Sequence, residues 1–282
     1  MPESALGNKC RVQLRDPPMS TTAFPSLNPP RWPGRVTHLG LWTLGTGLLA
    51  AGIAGPLNRF ALASVGAALM TLMIGFLLIV AGTAVTIIGV LFGTVKHARI
   101  PGTVAVVGIV IGLALTAYVT SWLYRAEHTP PINDITTDTA NPPKFVAVIP
   151  LRARAHATVS PRYIREERLG DKTIDVPALQ AKYYPYIKPL FMSLPPAQAL
   201  AKARRVARAL GWRIDAYVPA DGRLEATAHT FFFDFKDDVV VRVRPHGSGS
   251  RIDVRSESRV GVGDVGTNAA RILAFLDRMK AS

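Results

Sequence analysis

The chain has 282 residues, 49 % of them apolar, a net charge of +14 and one cysteine. That length allows two domains of ordinary size, and the lone Cys10 excludes an intrachain disulfide. Apolar and charged residues are segregated: from Leu39 to Tyr124 the only charged side chains are Arg59, Lys96 and Arg99. The chain therefore divides near residue 125 into an apolar part and a part that reads as water-soluble.

Residues 1–38 carry five basic and two acidic side chains, with Pro17, Pro18, Pro25, Pro29, Pro30 and Pro33 and no apolar period. They read as a disordered basic tail. They do not read as a cleavable signal peptide, because no apolar core follows a short charged start.

Residues 39–124 are expected to form three transmembrane helices, at about 39–56, 62–95 and 102–124. The first is glycine-rich and short for a span. The second lies in a run of 36 residues without a charge, 60–95. As a helix that run is ~54 Å long against a hydrocarbon core of ~30 Å, and it reads as one tilted helix. Two short spans are the other reading, although no Pro, Asn or Asp offers a turn between them. The third span opens at Pro101 and ends on Trp122 and Tyr124, which suit the headgroup level.

Gly75, Gly82 and Gly89 recur at every seventh position, with Ala68 in phase, and Gly108 and Gly112 form a small-xxx-small pair. Such stripes let helix backbones approach closely in lipid. They are expected to pack the chain's own helices, with a homo-oligomer through the glycine-rich spans as the alternative. No Asp, Glu or Lys lies inside a span, which argues against a transporter or pump. Basic residues concentrate before the first span and in the second connection (Lys96, Arg99), and these flanks belong on the cytoplasmic side. Three spans then put the C-terminal domain outside the cytoplasm; four would reverse this.

Residues 125–282 carry 25 basic and 17 acidic side chains. The surplus suits anionic lipid or an envelope protein as partner; the basic residues are too diluted by carboxylates for nucleic acid. Residues 129–143 are a proline-bracketed extended segment, 145–151 read as a strand, and the stretch to about Tyr183 reads as irregular. A helix follows Pro195-Pro196, capped by Ser193, with Ala199, Leu200, Ala203, Val206, Ala207 and Leu210 on one stripe and Gly211 at its end. The period then changes to two. Residues around 212–218, 224–229, 239–244 and 251–260 alternate apolar with polar, as strands with one buried face do. Pairing Arg244 with Arg251 sets Arg242 opposite Asp253 and Val243, Val241 and Val239 opposite Ile252, Val254 and Ser256. A last helix carries Ile272, Leu273, Leu276 and Met279 on one face. The fold class is an all-α transmembrane region plus an α+β domain, a four-stranded antiparallel sheet with two helices on one face.

The opposite sheet face is polar, displaying Arg213, Asp215, Tyr217, Glu225, Thr227, His229, Arg242, Arg244, Arg251, Asp253, Arg255, Glu257 and Arg259. A water-facing ladder of ion pairs is the first expectation. A cover formed by residues 129–165, with Asp134 or Asp138 meeting an arginine, is the second. An anion- or partner-binding face built on Arg242, Arg255 and Arg259 is the third.

Gly261-Val262-Gly263-Asp264-Val265-Gly266 matches a dinucleotide fingerprint, but no second parallel strand follows and Asp264 stands where phosphate would sit. A glycine-rich turn with Asp264 or Thr267 as helix cap explains it better. Asp237 and Asp238 are strand neighbours and point to opposite faces, so they cannot share a proton or metal. The histidines are scattered, and His229 near Glu225 is the best general-base candidate. There is no catalytic constellation, no metal cluster and no cofactor motif.

Three stretches carry a resemblance: 235–244 (FKDDVVVRVR), 253–261 (DVRSESRVG) and 264–272 (DVGTNAARI), with 130–138 (PPINDITTD) upstream. Together they resemble the domain-of-unknown-function family 1499 over roughly residues 125–281. The resemblance implies a bacterial or plastid protein, often membrane-attached, and no established activity. It also implies that Asp134, Asp138, Asp237, Asp238, Arg242, Arg255, Arg259, Asp264 and Asn268 matter. The expected function is a membrane-anchored, extracytoplasmic binding or scaffold module in the bacterial inner membrane. Its binding candidates are Asp134, Asp138, His229, Asp238, Arg242, Asp253, Arg255 and Arg259. The alternative is a membrane-bound enzyme with a site between residues 129–140 and Arg242/Arg255.

Overall fold

The computed structural model describes residues 30–164, 166–169, 171–261 and 263–281. Most of the expected basic tail, with Cys10, lies outside the described residues.

Three helices open the described chain: α1 (Trp32–Arg59), α2 (Val65–Val95) and α3 (Gly102–His128). All three are long and apolar enough to cross a membrane. The long second run is a single helix, begun by Ser64, whose hydroxyl accepts from the Ala67 amide at 3.2 Å. The first helix starts seven residues earlier than its apolar run, so residues 32–38 are helix rather than tail. Pro33 sits in the first turn, where its missing N–H costs nothing. The turn is held by packing: Gly89 of α2 lies so close that a methyl there would fall on Thr37.

Glycines set the helix pairing. A Cβ on Gly40 or Gly47 of α1 would overlap the backbone of α2, and one on Gly75 or Gly82 of α2 would overlap α1. The seven-residue stripe is therefore used inside the chain. Gly108 and Gly112 of α3 face Leu41, Leu44 and Thr83. The start of α1 lies beside the α2–α3 connection, since Gly34 packs on the Arg99 carbonyl.

The soluble half contains β1 (Asp134–Thr136), α4 (Ile149–Arg154), β2 (Glu166–Leu169), β3 (Lys172–Asp175), α5 (Val176–Tyr183), β4 (Leu190–Met192), α6 (Pro196–Ala209), β5 (Arg213–Val218), β6 (Arg223–His229), β7 (Lys236–His246), β8 (Gly249–Ser258) and α7 (Thr267–Ala281). The antiparallel sheet has six strands, not four: β1-β8-β7-β6-β5, with β4 also on the outer edge of β8. The four expected strands are β5 to β8, and the β7–β8 register pairs Arg244 with Arg251, Arg242 with Asp253 and Val243 with Ile252 as burial requires. The two extra strands are three residues each, too short to show a period. The stretch before Tyr183 is not irregular; it holds the β2–β3 hairpin and α5.

Helices α6 and α7 cover one sheet face. Leu200, Val206, Phe275, Ile272 and Met279 pack there against Leu224, Val239, Val241, Ile252 and Val254. Trp212 stacks on Phe275 at 5.3 Å. Ser193 does not cap α6; the cap position is Pro195, with no side-chain hydrogen bond. Asp264 does cap α7, accepting from the Gly266 and Asn268 amides at 2.8 and 2.7 Å. Its glycine turn uses positive φ at Gly261 and Gly266.

Candidate functional site: a covered charged sheet face

The alternation that buries valines under α6 and α7 sends the other residues of β6, β7 and β8 to the opposite face. Register then aligns Asp134 of β1, Glu257 of β8, Asp238 of β7 and Thr227 of β6 in one row. Neighbours in such a row stand ~5 Å apart. Three carboxyl groups side by side cannot all carry unpaired charge, and three arginines surround them.

Arg255 binds Asp134 with both arms of its fork, Nε to Oδ1 at 2.8 Å and Nη2 to Oδ2 at 2.7 Å. Arg152, on α4, reaches Asp238 at 2.7 Å and lies 3.1 Å from Glu257 Oε2. That last approach is out of alignment, and Oε2 has no hydrogen bond. Arg259 grips both Asp238 oxygens and donates to the Thr227 hydroxyl. All of these side chains are buried.

The expected water-facing ladder is thus incorrect. Residues 137–162 lie over this face, and the covering arrangement is the one found. Both Asp134 and Asp138 meet arginines. The cover is held by charge as well as packing. Backbone amides of Val146, Ala147 and Val148 donate to the Glu225 carboxylate at 3.0–3.1 Å, and Arg223 pairs with it from the side. This explains why 145–151 is not a strand: its amides point at a side chain, and Pro150 then opens α4. Phe145 lies beneath the Arg255 guanidinium at 4.6 Å, a cation–π contact.

Burial shapes the proton affinities. Glu257 is pushed up to about 9, first by loss of solvent and then by the neighbouring Asp134 charge, against the pull of Arg255 and Arg152. Asp134 is raised by burial, with Arg255 opposing. Arg255 moves up: burial alone would lower it, but Asp134 and Glu257 hold its proton. Beside Asp134 and Glu257 lies a cavity of about 20 Å³, bounded by Asn133, Ser160 and Arg162. That is room for about one water.

The remaining candidates divide. Asp138, Arg242 and Asp253 form a second cluster with Arg244 and Arg251, at the far end of the same face. His229 stands apart: it pairs with Asp234 at 2.9 Å in the β6–β7 loop, while Glu225 is enclosed under the cover. Asp237 and Asp238 do face opposite sides, Asp237 meeting Arg271 near α7. Arg152 was not legible as a site residue, since its partner is 86 positions away. Among the described residues, no group of His, Cys, Asp and Glu is placed to hold a metal ion.

These features define a class: a two-layer α+β domain with an internally charged sheet face, following three long apolar helices. The chain belongs to the family described as "Protein of unknown function (DUF1499)", whose model matches residues 134–279, just over half of it. The match begins on β1 and ends in α7, so it takes in the sheet, its cover and its helices. No curated protein matches the chain.

Proposed function

We propose that this protein is a membrane-anchored module of the bacterial inner membrane that binds an anionic partner on the extracytoplasmic side. The observation that carries it is the open end of the charged face. Three arginines, Arg242, Arg244 and Arg251, converge there on two carboxylates, Asp138 and Asp253. One cation is left in excess. Phe191 is exposed in the same cross-strand row as Arg251 and Arg244, and it packs on His246 at 4.6 Å. Partly exposed arginine beside exposed aromatic rings is the composition of protein-binding hot spots. An envelope protein presenting carboxylates fits it. The buried triad of Arg152, Arg255 and Arg259 then acts as bracing that holds the platform flat.

A photo-crosslinker at Phe191, in intact cells, is expected to give a discrete protein adduct that disappears with Arg244→Glu and Arg251→Glu. The same crosslinker at Lys280, on α7, is expected to give none. No adduct at Phe191, or an adduct indifferent to the arginine changes, would remove the reading.

One observation favours the enzyme alternative. Asp134 and Glu257 are paired acids, both raised in proton affinity by burial, beside a cavity, and a carboxyl that keeps its proton can serve as a general acid. The cavity admits only about one water, which favours binding over catalysis. Turnover of a phosphate or acyl ester by the full chain, abolished by Glu257→Gln, would reverse that preference.

A further inference from the structure

The connection between β6 and β7 reads Thr230-Phe231-Phe232-Phe233-Asp234-Phe235, four phenylalanines in six residues. A polar turn would serve a hairpin; large apolar side chains in a surface loop mark a contact with something apolar. Phe231 is 91 % exposed. The loop is nonetheless tied together by its own hydrogen bonds and ring contacts. Thr230 N donates to the Phe235 carbonyl and Asp234 N to the Thr230 carbonyl, at 2.9 and 3.0 Å. Asp234 takes a positive φ of 58° and receives His229. Phe233 stacks on Phe235 at 5.1 Å, and Phe232 meets Phe233 edge-on. The loop is built to present its outer rings.

It presents them at the end of a helix. Asn58 donates from Nδ2 to the Phe233 carbonyl at 2.5 Å, and Arg59 from Nη1 to the Phe231 carbonyl at 2.6 Å. Phe232 packs so tightly on Gly55 that a Cβ there would overlap its ring. Gly55 lies one turn, ~6 Å, before the end of α1. The loop thus reaches past the helix end, toward the middle of the apolar bundle. Phe60 and Leu62, in the connection that follows α1, are exposed as well. At ~42 Å, α1 exceeds the ~30 Å hydrocarbon core by about one turn at each end, which sets Gly55 near the acyl boundary.

We propose that the Phe231–Phe235 loop is a lipid-binding wedge, inserted at the headgroup–acyl boundary of the bilayer that α1 to α3 cross. Aromatic rings are favoured at that depth. The partner is the bilayer itself, and the wedge fixes the domain against α1 so that its arginine end points away from the surface. The inference rests on the three helices being spans.

The test uses the full chain with Cys10→Ser and a nitroxide at Phe231→Cys, reconstituted in vesicles of phosphatidylethanolamine and phosphatidylglycerol. Phe231 is almost fully exposed in the protein, so the replacement leaves the fold intact. Oxygen, which concentrates in lipid, is expected to relax the label more strongly than a water-soluble nickel chelate. A label at Ser248→Cys, in the β7–β8 turn, is expected to show the reverse order. If both labels respond like Ser248 while the protein resists alkaline extraction, the wedge is overturned and the spans stand. If the Phe231 label is shielded from both reagents, a protein covers the loop and the wedge is again overturned. If alkali strips the protein from the vesicles, the span reading and the wedge fall together.

Discussion

Glu257 is the residue at which pH should act on this domain. Its carboxyl is buried between Asp134 and Asp238, and burial carries its proton affinity from an ordinary value of 4.5 up to about 9. The folded state therefore keeps this proton over a range in which the unfolded chain has lost it. Stability from this group is fully present below pH 4.5 and is lost as pH rises toward about 9. Glu257→Gln mimics the protonated acid and cannot ionise. The expected outcome is that denaturant unfolding of the variant loses the decline between pH 5 and 9 that the parent shows. An unchanged slope would mean that Arg152 and Arg255 keep Glu257 charged. The residue scale also shows what a sequence conceals. Glu257 is legible as a polar-face position from alternation alone. Its burial ranks only second in the sequence, behind a water-facing ladder, because the cover that encloses it comes from residues 137–162 and carries no apolar period of its own.

At the scale of elements, the parts written in a strict period were readable and those written in tertiary contacts were not. Strands β6 to β8 alternate, and the β7–β8 register follows from setting Val243 and Val241 opposite Ile252 and Val254. Strand β5 carries a bulge between Ile214 and Ala216 that no alternation shows. The bulge turns Tyr217 from the expected polar face to the helix side, under Arg204. Strands β1 and β4 are three residues long and exist because β8 offers them an edge. The α4 region failed as a strand for an electrostatic reason, three amides converging on Glu225. In the helices the glycine spacing was legible, and its use between α1 and α2 follows from geometry. Gly82 has no space for a side chain, since a Cβ would strike the Leu44 backbone, whereas a Cβ on Gly52 meets nothing within 4 Å. Gly82→Leu is expected to lower the stability of the detergent-solubilised chain by about 1–3 kcal/mol, as overpacking does, and Gly52→Leu to leave it nearly unchanged. Thermal unfolding followed by helical circular dichroism separates the two. Equal effects would mean that α1 and α2 do not pair through this stripe.

At the scale of the whole molecule, the ends of the helices carry different charge. The start of α1 and the α2–α3 connection lie together, and they bring Arg31, Arg35, Lys96 and Arg99 to one end of the bundle. The other end has Arg59 and Arg125, and the α+β domain docks on it through Asn58 and Arg59. Insertion retains the more basic short flanks in the cytoplasm and translocates large domains with little regard to their charge. An odd number of crossings is supported by α2 being one unbroken helix of 31 residues. The expected outcome for alkaline phosphatase fused after Ser282 is an active enzyme, while a reporter that needs the cytosol stays silent at the same position. An active phosphatase sends the search for the carboxylate-bearing partner of Arg244 and Arg251 to the envelope. The opposite pair of results would place those arginines in the cytoplasm, invert the charge rule for this chain, and make soluble cytoplasmic anions the ligands to test.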